Sequence, residues 1–308
     1  MSYLLRRLLA LPLVLWAAVS LVFFSIHLIP GDPVDVVLGE TARPADREAL
    51  RARWGLDRPV PEQYAHYLTG LVRGQLGESF SFRRPVSELI AERYPATLLL
   101  AGSAMGVALL FAIPLGALAA LRRNRPLDRV SMLAALFGVS VPNFWLGILL
   151  MLIFSLWLDW LPVSGFVGPA SVVLPAVTLG ASLAGILTRM TRSSLLDELG
   201  HDYVRTARAK GLGTRATLFK HALRNALIPV VTLAGLQFGA LLAGAIITEK
   251  VFAWPGIGAL LISGVQARDY PVVQGCIAVI VTSYVIVNLL TDLLYAGIHP
   301  RVRLGDPT

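Results

Sequence analysis

Long apolar runs constrain this chain more than any other feature of its sequence. A helix of about 20 residues crosses a hydrocarbon core of roughly 30 Å, and six runs reach or approach that length. They occupy residues 8–29, 97–121, 130–158, 174–187, 227–248 and 272–290. Because backbone polar groups inside a bilayer must bond within their own segment, such runs predict helices. We therefore predict an all-α integral membrane protein with six transmembrane helices.

The charged residues predict how the chain crosses the bilayer. The formal net charge is +8 and the mean hydropathy is +0.68. Arginines precede the first run and follow the second run, and since positive residues collect on the cytoplasmic side, both termini are predicted to be cytoplasmic. The first run is too long for the apolar part of a signal peptide. Because the cations flank membrane runs, they indicate a lipid bilayer as the partner and no nucleic acid.

Polar stretches between the runs define the domain organisation. Residues 1–29 are predicted to form a cytoplasmic N-terminus and the first span, residues 30–95 an extracytoplasmic helical segment, and residues 96–308 the main transmembrane domain. Capping and turn residues predict three short helices in the extracytoplasmic segment, at 46–54, 61–71 and 85–94. A cytoplasmic loop is predicted at 197–225. The fourth run should extend towards this loop, with Arg189 and Arg192 reaching the inner membrane surface.

Residue patterns that carry catalysis are missing from the sequence. It contains no G-x-x-x-x-G-K-[ST] nucleotide loop, no H-E-x-x-H pair for zinc and no serine-nucleophile elbow. Its single cysteine, Cys276, lies in an apolar run and provides no cysteine metal site. We predict that the chain is not an enzyme and holds neither a metal nor a cofactor. Ionisable residues are nearly absent from the spans, which disfavours an ion-coupled transporter.

A basic stretch from residue 203 to 229 interrupts the apolar pattern before the fifth run. Six cations and no carboxylate lie between Tyr203 and Arg224: Arg205, Arg208, Lys210, Arg215, Lys220 and Arg224. A helix over 203–211 would place Tyr203, Ala207 and Gly211 on one face. Two glycines then break that helix. The charges either hold the loop in the cytoplasm or form a docking site for a cytoplasmic partner.

A second helix is predicted after the glycine pair. Thr214 can cap its first turn, because a threonine side chain accepts a hydrogen bond from a free backbone N–H. The helix can run on into the fifth apolar run, with Pro229 in or near its first membrane turn. The whole stretch is therefore predicted to be a basic helix–turn–helix at the membrane surface.

The sequence R-T-A-R-A-K-G at residues 205–211 resembles the E-A-A-x-x-x-G loop of bacterial ABC importer permeases. Residues 203–212 and 221–229 are similar to the version in dipeptide, oligopeptide and nickel permeases, although Arg205, His221 and Arg224 depart from the broader motif. In that family the loop is a coupling helix in a groove of the ATPase subunit. The resemblance implies these ATPase-coupling residues: Tyr203, Arg205, Thr206, Ala207, Arg208, Ala209, Lys210, Gly211 and Leu212.

Other motifs resemble the same family at separate places in the chain. They are Gly31-Asp32-Pro33, Gly55-Leu-Asp57-x-Pro59, Ser140-x-Pro142-x-Phe144, Leu161-Pro162-x-x-Gly165, the signature at 249–260 and His299-Pro300-Arg301. Asn143 and Trp145, beside a proline at membrane depth, are candidates for the substrate path, and a packed kink is the alternative. Gln237 in the fifth run is a third candidate, with an interhelical hydrogen bond as its alternative.

The signature at 249–260 is implied to form an outer-mouth loop. Its apolar residues can lie against the outer end of the bundle, and Pro-Gly predicts a tight turn. The residues concerned are Phe252, Trp254, Pro255 and Gly256.

Taken over nearly the whole chain, the resemblance implies a B-type permease subunit of a dipeptide, oligopeptide or nickel ABC importer, most like a dipeptide permease. The implied fold is that of type I ABC importer permeases, in the bacterial plasma membrane. The implied partners are a homologous second permease, two cytoplasmic ATPase subunits and an extracytoplasmic substrate-binding protein. ATP and Mg²⁺ would be bound by the ATPases. The alternatives are an importer of nickel or another small solute, an ion-coupled secondary transporter, and a membrane scaffold without a pathway.

Overall fold

The chain is helical wherever its structure is described. The computed structural model describes residues 3–28, 31–39 and 42–298, and within these ranges no β-strand forms; one isolated bridge joins Glu78 and Pro85. The all-α class predicted from the apolar runs is therefore confirmed. The two ends of the chain, with the motif that begins at His299, lie outside the described residues.

Helices follow one another with short connections. In chain order they are α1 (Tyr3–Leu28), α2 (Pro33–Leu38), α3 (Pro44–Arg53), α4 (Val60–Val72), α5 (Val86–Leu121), α6 (Pro126–Ser140), α7 (Asn143–Met151), α8 (Val173–Leu199), α9 (Asp202–Ala209), α10 (Thr214–Thr217), α11 (Leu223–Gly244), α12 (Ile246–Val251), α13 (Ile257–Gln266) and α14 (Tyr270–Ile298). π-Helical turns at Leu152–Trp157 and Leu218–Ala222 follow α7 and α10, and a 3₁₀ turn at Pro169–Val172 precedes α8.

Length and apolar composition identify the helices that can cross a membrane. Among the described residues, α1, α5, α8, α11 and α14 qualify singly. A sixth span results if α6 is joined to α7 with its π-helical turn, but these two parts meet at an angle of 99°. The third apolar run was predicted as a span with a packed kink at its proline as an alternative, and the structure gives two helices joined by a sharp bend. The chain turns at Val141 and Pro142, because a proline cannot continue the hydrogen-bond ladder of α6.

The polar segment before α5 contains more helix than its sequence pattern predicted. Helices α3 and α4 confirm two of the three predicted elements. Helix α2 was missed, although Asp32 caps it by accepting a 2.8 Å bond from the Val34 N–H, with proline at the first helical position. The element predicted at 85–94 is not separate, because α5 runs without a break for 36 residues.

The first of two compact units comprises residues 1–97 and 255–283. Its fully buried Asp269 accepts hydrogen bonds from the Ser79 hydroxyl at 2.6 Å and the Ser81 N–H at 2.9 Å. The Thr97 hydroxyl accepts a 2.9 Å bond from the Ile257 N–H at the start of α13. Because these buried groups bond across long sequence separations, they fix the loop at 78–85 and the entry to α13 within the unit.

The second unit comprises residues 98–254 and 284–308, and α8 lies at its centre. Helices α6, α7 and α11 all pack against α8. Glycine permits the closest approaches: a Cβ atom on Gly180 would lie 2.8 Å from the Ala104 carbonyl oxygen, and one on Gly185 would lie 2.3 Å from that of Ala135. Close backbone contact of this kind is how helices associate where lipid removes the hydrophobic driving force.

Candidate coupling site

The basic loop folds into two helices separated by a glycine turn. Helix α9 ends at Ala209, and Gly211 adopts a left-handed φ of +85°, so that the Leu212 N–H reaches back to the Ala207 carbonyl at 3.3 Å. This six-to-one bond is the mark of a glycine-terminated helix. Helix α10 begins at Thr214 and leads through the π-helical turn into α11, which contains Pro229. The predicted helix–turn–helix is confirmed.

Thr214 was predicted to cap α10, but it is the first residue inside the helix. Gly213, not Thr214, stands at the cap position, because its carbonyl accepts the 3.0 Å bond from the Thr217 N–H. The side chain of Thr214 lies outside the described part of the chain.

One side of α9 is buried in the protein's own core. Val204 is 0% exposed and Ala207 is 7% exposed. Val204 belongs to a buried cluster with residues from the ends of α5 and α8, the π-helical turn and α11: Ala117, Ala120, Leu195, Leu218, Ala222 and Ala226. Because Val204 and Ala207 are short side chains, the backbone of α9 lies close to the ends of three long helices.

The other side of α9 faces outward. Arg205, Thr206, Ala209 and Lys210 are exposed, and so is Gly211. Arg205 pairs with Asp202 at 3.3 Å, but both side chains are so exposed that this pair adds little stability. The side chain of Arg208 lies outside the described residues. The outward side therefore presents cations and small residues to any partner below it.

The predicted single face of Tyr203, Ala207 and Gly211 does not form. Ala207 points into the core, whereas Tyr203 is 38% exposed. Gly211 lies beyond the last helical residue. The i, i+4, i+8 pattern failed because the helix ends before its third member, which the left-handed turn removes from the helical repeat.

Tyr203 ties α9 to the end of α8 and the start of α11. Its hydroxyl donates to a carboxylate oxygen of Glu198 and accepts a 3.2 Å bond from the side-chain amide of Asn225. Burial, followed by the hydrogen bond to Glu198, raises the pKa of Tyr203. The phenol therefore stays protonated at neutral pH and bridges α8 and α11.

The sequence interpretation missed an ion pair that joins α6 to α8. Arg192 on α8 donates to Asp128 on α6 through two nitrogens, at 2.6 and 2.8 Å, and the Asn124 N–H adds a 2.8 Å bond to the same carboxylate. Arg192 was predicted to reach the membrane surface, but its side chain is only 25% exposed and is held by Asp128. The available signal was a lone carboxylate in the first turn of a helix that follows three arginines.

The three substrate-path candidates lie on two helices of the second unit, α7 and α11. Asn143 is the first residue of α7, directly after the 99° bend, and Trp145 is 48% exposed two residues later. Gln237 is half-buried in α11. Within the described ranges, the side chains of Asn143 and Gln237 form no hydrogen bond, to each other or to another residue. An amide at membrane depth needs a polar partner, so both remain available to a second subunit, to water or to a substrate.

The predicted outer-mouth loop has a tightly held backbone. The Trp254 N–H bonds to the Glu249 carbonyl at 2.8 Å, and the Phe252 carbonyl accepts a 2.8 Å bond from the Gly165 N–H. The Trp254 ring meets the Phe166 ring edge-on, with centroids 5.0 Å apart. Phe252 and Trp254 are only 2% and 1% exposed.

The turn of this loop lies earlier than predicted. Ala253 carries the left-handed backbone, with φ of +48°, whereas Gly256 has an extended ψ and caps α13. Pro255 and Gly256 therefore lead the chain into a helix and do not close a tight turn. Gly256 is buried and Pro255 half-buried.

The chain matches two protein families and is similar to known transport proteins. Residues 112–304 match the family described as "Binding-protein-dependent transport system inner membrane component", and residues 1–101 match the family described as "Binding-prot-dependent transport system membrane comp, N-term". The chain is 47% identical over 303 residues to the glutathione transport system permease protein GsiC of Salmonella choleraesuis (strain SC-B67), covering 98% of this chain and 99% of that protein. It is 45% identical, with the same coverage, to GsiC of Escherichia coli (strain K12).

Solved structures show the same fold. An inward-facing structure of the MetNI methionine ABC transporter aligns with a TM-score of 0.58 at 20% identity, over 69% of this chain and 97% of that chain. A crystal structure of an amino acid ABC transporter with histidines aligns with a TM-score of 0.52 at 15% identity, over 70% and 95%. The fold is thus that of type I ABC importer permeases, and the protein is multi-pass in the bacterial inner membrane. The chain belongs to the binding-protein-dependent inner-membrane components, the permease subunits of ABC importers, and is not an enzyme.

Proposed function

We propose that this chain forms one half of the translocation pathway of an ATP-driven peptide importer, and that α9 is its coupling helix. The two-sided character of α9 carries the proposal. Its buried side is packed against the ends of long helices, and its exposed side presents Arg205, Thr206 and Lys210. Arg205 and Thr206 bond to Asp202 of the same helix. A helix packed in this way can transmit a displacement from a cytoplasmic partner to the spans.

The contacts between α9 and the spans would carry that displacement into the membrane domain. Val204 shares a buried cluster with residues of α5, α8 and α11, so displacement of α9 would move the ends of several spans together. Tyr203 adds polar links to α8 and α11. Coupling requires two states whose balance ATP shifts, and closely packed helices switch between discrete arrangements.

The assembly we propose contains four further proteins. A homologous second permease would complete the pathway, two ABC ATPases would bind ATP and Mg²⁺, and an extracytoplasmic protein would deliver the substrate. The unpartnered amides of Asn143 and Gln237 support a pathway shared with the second permease. Trp145, which is 48% exposed in the single chain, offers an aromatic surface at the same level of α7.

A peptide is the substrate class that the relatives favour. GsiC proteins, 45–47% identical to this chain over almost their full length, are named for transport of glutathione, a tripeptide. Calorimetry of the cognate binding protein with glutathione, a dipeptide and Ni²⁺ tests this part. We expect a peptide to bind more tightly than the metal. A preference for Ni²⁺ would contradict the peptide assignment and leave the importer assignment intact.

The coupling role is tested by a pair of glycine variants. Gly211 has φ of +85° and Gly213 does not adopt such a backbone, yet an added Cβ atom meets nothing within 4 Å at either position. Gly211→Val strains only the turn, because a β-branched residue is an outlier at positive φ. In proteoliposomes that contain the complete transporter, we expect Gly211→Val to lose most of the ATPase stimulation by loaded binding protein. Gly213→Val should retain it. Equal stimulation in both variants, with assembly intact, would contradict the coupling role.

A further inference from the structure

A cavity of about 610 Å³ lies within the first unit, away from the residues assigned to coupling or to the substrate path. This volume falls in the range of about 300–1,000 Å³ that small-molecule pockets occupy. Two aromatic pairs line it. Phe23 stacks on Tyr67 with centroids 5.6 Å apart, and Trp54 stacks on Phe80 at 4.0 Å. The walls can therefore accept an apolar or aromatic group.

Positive charge collects around this cavity without a matching negative charge. Glu78 is the single carboxylate among the described lining residues. Four arginines line the cavity: Arg53, Arg58, Arg73 and Arg83. None of the four forms an ion pair with a described carboxylate.

Other arginines of the same segment are neutralised by the chain itself. Arg51 pairs with Asp32, Arg47 pairs with Asp35 at 3.4 Å, and Arg84 pairs with Glu92 at 2.5 Å. The four arginines at the cavity, all exposed, lack such a pair among the described residues. A cluster of unpaired guanidinium groups beside aromatic walls favours an anionic ligand.

A buried hydroxyl adds a directional group to the same cavity. The Tyr67 oxygen is shielded from solvent and has no hydrogen-bond partner among the described residues. A buried polar atom left unpaired costs free energy, which a bound acceptor would recover. Burial raises the pKa of Tyr67 to about 12, so the hydroxyl remains a donor at neutral pH.

We propose that this cavity binds a small organic anion that carries an apolar or aromatic group. The arginines bind its carboxylate or phosphate, Tyr67 donates to a ligand oxygen, and the aromatic pairs enclose the apolar part. Two sources supply this chemistry, a free carboxylate from outside the cell and the headgroup of an anionic lipid. Because binding requires no transport, the site is distinct from the importer function proposed above.

Binding can be measured on the full chain in nanodiscs. In phosphatidylcholine nanodiscs, calorimetry with N-acetyl-L-phenylalanine tests the free anion, and its uncharged amide is the matched ligand control. In nanodiscs with added phosphatidylglycerol, mass spectrometry of the retained lipid tests the headgroup. The site variant is Arg53→Gln with Arg73→Gln. Its control, Arg43→Gln with Arg93→Gln, removes two arginines of the same segment that do not line the cavity.

The proposal predicts saturable binding of the carboxylate or retention of the anionic lipid. Because each lost guanidinium removes a charge-assisted hydrogen bond, the site variant should bind at least about tenfold more weakly. The control variant should bind the carboxylate as the unchanged protein does. The amide ligand should not bind. Tyr67→Phe, which leaves the aromatic wall in place, should weaken binding by about fivefold. The proposal is overturned if neither probe binds, if both arginine pairs weaken binding equally, or if these arginines affect only docking of another protein.

Discussion

The two loops that bracket α11 and α12 use their side chains in opposite ways. In the predicted inner loop, at 197–225, helix α9 buries the short side chains of Val204 and Ala207, and Arg205 and Lys210 are exposed. The predicted outer loop, at 252–256, buries both of its large aromatic residues almost completely. The inner loop thus adds little apolar surface to the fold, and the outer loop adds much.

This difference separates what stabilises the chain from what the chain offers to other proteins. Buried aromatic rings contribute strongly to stability, whereas exposed cations contribute little. We infer that the outer loop is a fixed wall of the second unit and that the inner loop is a surface for a partner. Substitutions in the two loops should therefore split into those that change unfolding and those that change transport.

Trp254→Ala should have the largest effect on stability. The indole is 1% exposed and packs edge-on against Phe166, so its removal leaves a cavity and should cost about 3–5 kcal/mol. Thermal unfolding of the purified protein in detergent measures the loss. Trp145→Ala removes an equal side chain that is 48% exposed and should barely shift the midpoint. Similar shifts in both variants would remove the distinction between the two tryptophans.

Asp128→Ala should have the next largest effect, because it leaves Arg192 without its carboxylate. Breaking an enclosed pair costs roughly 3–5 kcal/mol, and we expect about 2 kcal/mol here since a quarter of the Arg192 side chain is exposed. A double-mutant cycle with Arg192→Ala measures the coupling between the two residues. The double variant should be less destabilised than the sum of the single variants. Strict additivity would show that the pair does not join α6 to α8.

Tyr203→Phe should lower stability by about 1 kcal/mol, because it removes the bridge to Glu198 and Asn225. The raised pKa of Tyr203 sets the pH dependence. The phenol contributes fully below its ordinary pKa of 10.0, and the contribution is lost as pH rises through the raised folded-state pKa. Unfolding curves at neutral and alkaline pH should therefore converge for the two proteins as pH rises. A difference that grows with pH would contradict this bridge.

Lys210→Ala should have the smallest effect on stability, within about 0.5 kcal/mol, because its side chain is exposed. Its effect should appear in ATP hydrolysis by the assembled transporter, as weaker stimulation by loaded binding protein. Lys250→Ala, an exposed lysine outside the inner loop, is the matched control. A fall in the unfolding midpoint without a change in stimulation would reverse the assignment of the inner loop.

Much of the fold was predictable because membrane spans follow from length and hydropathy alone. The extension of α8 to Leu199 and the glycine break after α9 were both readable from residue type. The break within the third run was not, since Ser140-x-Pro142 predicts a kink but does not give its 99° angle. The sequence also did not predict that residues 85–94 join the second span in one helix, because Pro95 indicates a helix boundary.

The candidate site divides in the same way. The basic loop was predictable because glycine and charge act locally. The burial of Ala207 and the pairing of Arg192 with Asp128 were not, because both depend on which helices pack together. Sequence spacing places residues on one face of a helix. A contact between residues 64 positions apart, on two different helices, is set by the tertiary fold.

Cysteine cross-linking at Ala209 tests the proposed coupling helix most directly. Ala209 is exposed at the end of α9, and Cys276, the only native cysteine, is buried. In an Ala209→Cys chain assembled with its partners, a bifunctional maleimide should join residue 209 to an ATPase subunit, and ATP should change the yield. Cross-linking to the extracytoplasmic binding protein, or labelling of residue 209 by an impermeant maleimide from outside the cell, would contradict the proposal.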